Sequence, residues 1–188
     1  MKLLLRTFLL LNLTVLIWFG SAWLLPGRGS EAEDKQAYLN GGYFLLHQLC
    51  AQEAQLPLLL DVKHASTDVK NFADRISRTA KESNAALEQM QDADPALNFG
   101  HNPLPSFERD VRDSIQDEKQ DQLLFGTSGA AFERALLVSQ VEASNYAQNI
   151  AKVLAENEKN PERRKCLEKI SSKWLLINKE TFRLLSTL

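Results

Sequence analysis

The chain has 188 residues, 44% of them apolar by type and 24% charged, with a formal net charge of −2. That length suits one domain of ordinary size, and apolar residues recur throughout, which excludes a disordered acidic tail. No basic stripe is present to neutralise phosphates, so nucleic acid is excluded as a partner.

At the N-terminus, Lys2 and Arg6 precede an uncharged apolar run from Phe8 to Leu25. Such a run suits the export machinery better than the inside of a soluble domain. Two readings stay open. Gly20-Ser21-Ala22 offers small residues for a cut after Ala22, which makes residues 1–25 a signal peptide. The length of the run approaches the roughly 20 residues of a spanning helix, which makes it an anchor. Both readings export the rest of the chain, to the periplasm or to the outer face of the inner membrane. Residues 26–36 read as an exposed linker, and residues 37–188 as the folded domain.

Within that domain a helix is expected from Ala37 to Leu60, with Tyr43, Leu46, Cys50 and Leu58 apolar. Gly41-Gly42 weakens its start, and Pro57 should break it. A second helix runs from Thr67 to about Gln91, capped by Ser66 or Thr67. Its stripe is Val69, Phe72, Ala73, Ile76, Ala80, Leu87 and Met90, with Lys70, Asp74, Arg78, Lys81 and Glu88 facing away. Residues 92–105 read as a loop, and Ser106 as the cap of a short charged helix to about Gln122. Gly126-Thr127-Ser128-Gly129 interrupts. A long helix is then expected from Ala130 to Glu158, with Phe132, Leu136, Val141, Ile150 and Leu154 inward. Asn160-Pro161 starts the last helix, whose stripe is Leu167, Ile170, Trp174, Ile177 and Leu184 or Leu185. No stretch alternates with period two, so no sheet is expected. The fold class read here is all-α: an antiparallel four-helix bundle behind an apolar leader, with a long middle crossover.

Two segments carry a resemblance. Ala65-Ser66-Thr67-Asp68-Val69-Lys70-Asn71-Phe72-Ala73, followed by Ile76, Asn84 and Leu87, resembles the second helix of an exported bacterial family. Phe132-Glu133 and Val141-Glu142-Ala143 resemble its third helix. The family is a ferritin-like four-helix bundle known only as a domain of unknown function, and the resemblance covers nearly the whole exported region. This chain departs from the family where His is usual: Thr79-Ala80 replaces an Asp-His pair, Ser144 replaces another His, and no His follows His101. The chain therefore lacks, at those positions, the histidines on which the metal role implied by the resemblance rests.

A ferritin-like di-iron site needs inward carboxylates and two Glu-x-x-His pairs. The chain has no Glu-x-x-His. The nearest pattern is Asp61-x-x-His64, which a solvated histidine explains. His47, Cys50 and Glu53 share three-residue spacing along one helix face and are the other metal candidates. Ligands on successive turns drift around the face, so Cys50 is expected buried, with His47 and Glu53 at the margin. Glu82 and Glu142 are expected solvated, and Asn145, Tyr146 and Trp174 are expected to pack. The two cysteines, Cys50 and Cys166, could pair in an oxidising compartment or remain buried thiols. No covalent-haem motif, nucleophile turn or phosphate loop occurs. No cofactor and no catalytic residue is expected. The expected role is an exported helical module that binds or scaffolds an envelope protein or a small ligand. A ferritin-like metal protein with an altered site and a ligand-sensing domain acting through a partner are the alternatives.

Overall fold

The computed structural model describes residues 31–100 and 102–188; the apolar run 8–25, the cut after Ala22 and residues 26–30 of the linker lie outside them. Six helices come in order: α1 (Glu31–Glu53), α2 (Leu56–Val62), α3 (Thr67–Ala93), α4 (Ser106–Asp121), α5 (Gly129–Asn157) and α6 (Pro161–Leu185). A π-helical turn, Gln122–Gly126, prolongs α4. No strand occurs among the described residues, as expected. None of the described helices is long and apolar enough to cross a membrane.

The first helix corrects the sequence reading at both ends. Residues 31–36 are helical rather than linker. Glu31 to Gln36 are mostly good helix formers, with acids at the positive end of the helix dipole. The amides of Gln36 and Asn40 also donate to Ala96 O (3.1 and 3.2 Å), holding that end against the chain beyond α3. The break falls at Ala54-Gln55, ahead of Pro57, which sits in the first turn of α2 where its missing N–H costs nothing. Restarting there turns Leu56, Leu59 and Leu60 inward and leaves Leu58 44% exposed, against expectation.

Every expected stripe residue of α3 is buried, and Ser66 Oγ accepts from Val69 N–H (3.4 Å) as the cap. Glu133 from α5 reinforces that end, its carboxylate accepting from Ser66 N–H (2.5 Å) and Ser66 Oγ (3.1 Å). Leu87 is fully buried, so Leu87→Ala should lower the unfolding free energy by roughly 2–5 kcal/mol. Urea titration checks this, and a change near zero would mean that the core collapses around the gap or does not use Leu87.

The 94–105 segment is more than a surface loop. Leu97 and Phe99 are buried, and the Phe99 ring stacks on Tyr43 with centroids 5.6 Å apart. The helix after it starts differently from expectation, since Ser106 is its first residue and Pro105 the cap. Pro105 is extended and its carbonyl accepts the first helical bond, from Arg109 N–H (3.1 Å); no side chain caps the open N–H groups of this helix start. No residue of α4 is buried.

On α5, Phe132, Leu136 and Leu154 are buried, whereas Val141 and Ile150 are only half-buried. The buried face there is made of Ala143, Ser144, Ala147 and Ala151, small side chains that let neighbouring helices come close. Asn160 Oδ1 accepts from the N–H groups of Glu162 (2.9 Å) and Arg163 (3.2 Å), capping α6 as its sequence indicated. Leu167, Ile170, Trp174, Ile177 and Leu184 are buried, and Leu185 is half-buried.

Five helices, all but α4, pack together in a bundle-like fold. Cross-helix bonds set their directions. Arg75–Glu180 (2.6 Å), Lys173–Glu82 (2.5 Å) and Arg163–Asp94 (2.5 Å) run α6 antiparallel to α3. Asn178 donates to Val141 O (3.0 Å) and Ser171 to Gln148 O (3.0 Å), so α6 is also antiparallel to α5. Tyr43 reaches Glu158, which sets α1 against the far end of α5. The start of α3 meets the start of α5 through Ser66 and Glu133, so these two run the same way.

Candidate functional site

The structure separates most of the residues singled out from sequence. His47 is half-buried, with Nε2 3.3 Å from Glu88 Oε1 and its ring against Phe99. His64 and Asp61 are exposed beyond the core. Cys50 is buried between Ser83 and Trp174, and burial pushes its thiol up to about 12. Cys166 is half-buried near Lys169 and Lys173, so the two thiols are free and occupy different surroundings. Among the described residues, no group of three or more His, Cys, Asp or Glu converges. Glu82 is exposed beside Lys173, and Glu142 is half-buried beside Lys119.

Glu53 overturns its expected place at the margin: it is 0% exposed. Burial pushes its carboxyl up to about 7, and neighbouring Gln140 offsets this only in part. The reason is geometric. Leu39, Tyr43, Leu46, Cys50 and Glu53 succeed one another at spacings of four and three, so Glu53 belongs to the inward stripe of α1. Gln140 sits in the same way between Leu136 and Ala143 on α5, and it too is buried. Those spacings were the signal; a carboxylate read by default as solvated hid it.

A second polar cluster ties the other end of the helices together. Glu158 is buried in the turn between α5 and α6. Arg163 grips it with two bonds of 3.0 Å, and the Tyr43 hydroxyl donates to it at 2.8 Å. Burial raises the Glu158 carboxyl, but Arg163, Asn160 N–H and Tyr43 together outweigh this and hold it below the ordinary range. Burial, then the Glu158 bond, push the Tyr43 phenol up.

Between α1 and α5 lies a groove of about 880 Å³. Tyr38, Leu45, Tyr146, Ile150, Val153 and Leu154 supply apolar wall, and Glu142, Asn145 and Asn149 supply polar groups. Gly41 and Gly42 form part of the wall on α1. A Cβ at Gly42 would stand 2.7 Å from Leu154 Cδ2, and one at Gly41 would stand 3.1 Å from Pro103 Cβ. The pair that weakens the helix by composition is thus what lets α1 pass this close. Along the α5 side, Lys119 of α4 bonds Glu142, and Arg112 lies against the Tyr146 hydroxyl. Burial raises the Tyr146 phenol and Arg112 lowers it only in part. Asn149 Nδ2 donates to Asn145 O (2.8 Å), leaving an amide-rich edge.

Fold and groove together define an all-helical, bundle-like protein with a ligand-sized, mainly apolar recess. No family model, curated protein or solved structure matches the chain.

Proposed function

We propose that this chain is an exported, non-catalytic binding module that holds a small amphipathic molecule in the groove between α1 and α5. In this reading α1, α3, α5 and α6 form a four-helix bundle in the ferritin-like order, and α4 belongs to the crossover from α3 to α5. The helix directions support that order, as does the resemblance of the Ala65–Leu87 and Phe132–Ala143 segments to the exported ferritin-like family. Export rests on the apolar run 8–25 behind Lys2 and Arg6.

The groove carries the proposal. At about 880 Å³ it lies inside the range of small-molecule sites, roughly 300–1,000 Å³. It has the composition of such sites: aromatic and aliphatic walls with a few polar groups to orient the guest. Tyr38 and Tyr146 offer flat apolar faces, while Asn145 and Asn149 offer hydrogen bonds at one edge. Sites of this kind form between facing helices of bundles.

Titration with 1-N-phenylnaphthylamine, a small aromatic amine that brightens in apolar surroundings, tests this. Saturable binding at one site is expected. Val153 is 40% exposed at the groove, so Val153→Trp can fill the recess without disturbing the core. That variant should bind at least about tenfold more weakly, a loss of about 1.4 kcal/mol, with its melting temperature unchanged. Equal binding by the two proteins would remove the groove from consideration.

A further inference from the structure

Among the described residues, five buried polar side-chain atoms make no well-formed hydrogen bond within the protein: both carboxylate oxygens of Glu53, both amide atoms of Gln140, and Trp174 Nε1. The three residues come from α1, α5 and α6, and each is at most 1% exposed. They are neighbours through Cys50, which lies beside Trp174 and one turn before Glu53, while Gln140 lies beside Glu53. Around them the other buried polar groups are satisfied within the protein. Ser77 donates to Ala54 O (2.7 Å), Ser83 to Thr79 O (2.8 Å) and Ser144 to Gln140 O (2.6 Å). The five atoms thus lie along one turn of α1, Trp174 Nε1 beside Cys50 and the Gln140 amide beside Glu53.

We infer that Glu53, Gln140 and Trp174 form an internal hydration site, where at least one ordered water bridges α1, α5 and α6. The donor and acceptor inventory selects the guest. Trp174 Nε1–H, Gln140 Nε2–H and, below about pH 7, the Glu53 O–H need acceptors, while Gln140 Oε1 and the remaining Glu53 oxygen lone pairs need donors. Water supplies both, and it is held where it finds two to four polar partners. An anion would meet the Glu53 carboxylate. A cation would meet two N–H donors, with the Cys50 thiol, the Glu53 carboxyl and one amide oxygen of Gln140 as its side-chain ligands.

Water-to-protein cross-relaxation in the ¹⁵N-labelled full-length chain tests this, with Trp174 assigned by the signal lost in Trp174→Phe. A long-lived water contact is expected at both the Trp174 indole N–H and the Gln140 side-chain amide. Glu53→Gln keeps the polar set and should keep the contact; Glu53→Leu should reduce it at least severalfold. Absence of the contact at both groups in the wild-type chain overturns the proposal. So does an unchanged contact in Glu53→Leu. Stoichiometric uptake of zinc, added alone and abolished by Glu53→Gln, would replace water by a cation and overturn it as well.

Discussion

Arg163→Ala should lower the unfolding free energy by about 3–5 kcal/mol, the largest effect expected of any single substitution outside the apolar core. The side chain of Glu158 is 1% exposed, and Arg163 meets it with paired bonds, 3.0 Å from Nε to Oε2 and 3.0 Å from Nη2 to Oε1. A third bond, 2.5 Å from Nη1 to Asp94 Oδ2, carries the link to the end of α3. Without the guanidinium, Glu158 keeps the Tyr43 hydroxyl and Asn160 N–H, but its carboxylate is buried with no cation bonded to it, since Arg164 bonds only the Glu158 backbone carbonyl. The cost comes from that stranded charge more than from the lost attraction. Arg163→Lys should recover only part of it, because an ammonium cannot span both oxygens. Adding Glu158→Gln to Arg163→Ala should recover part as well, because it removes the stranded charge. Urea unfolding of the three variants checks these outcomes. A loss below about 1 kcal/mol for Arg163→Ala would place the pair among ordinary surface ion pairs.

Stability should fall as pH rises from about 4.5 to about 7, by roughly 3 kcal/mol in all, and level off above that. The carrier is Glu53, whose folded value of about 7 stands above its ordinary 4.5. Between those values the folded state binds a proton that the unfolded state has released, so the unfolding free energy declines with pH. Desolvation is the main cause, and Gln140 offsets it only in part. Cys50 stays neutral across this window and Gln140 does not titrate, so no neighbouring charge cancels the slope. Glu158 acts in the opposite direction. Its depressed value gives stability that is present above about 4.5 and lost as pH falls through the folded value. Stability should therefore peak on the acid side of neutrality. Glu53→Gln should flatten the decline and make the protein more stable than wild type at pH 8. Urea midpoints at pH 5, 6 and 8 decide the matter. A wild-type midpoint that rises over this range, or a slope unchanged in Glu53→Gln, would acquit Glu53.

Much of the helical layout is readable along the chain because helix ends and stripes are local. Ser66 before Thr67 and Asn160 before Pro161 mark two starts that the structure keeps. The stripes of α3 and α6 are buried as their spacing requires. The expected end of the linker failed because composition near residue 36 says little about Gln36 and Asn40, whose partners lie some sixty residues away at Ala96. Ser106 misled for a related reason: a hydroxyl before a helix is a common cap, yet the helix already begins at Ser106, and Pro105 takes the cap position with no side-chain bond. The candidate site was the least legible part. Gly41-Gly42 reads as a flaw in a helix until Leu154 and Pro103 are seen packed against it.

The all-helical class, the caps and the apolar faces are written in the chain, because each depends on residues within a turn or two of one another. The charged and polar side chains take their fate from contacts between helices instead. Periodicity aims Glu53 inward but does not say that Gln140 will meet it there without a well-formed hydrogen bond. Arg163 lies five residues from Glu158, while Tyr43, which completes the pair's surroundings, lies 115 residues away. Burying a charge is favourable or ruinous according to what arrives from other helices. That is a property of the assembled fold, and it is what separates Glu158, held by Arg163, from Glu53, which folding leaves with a proton to lose.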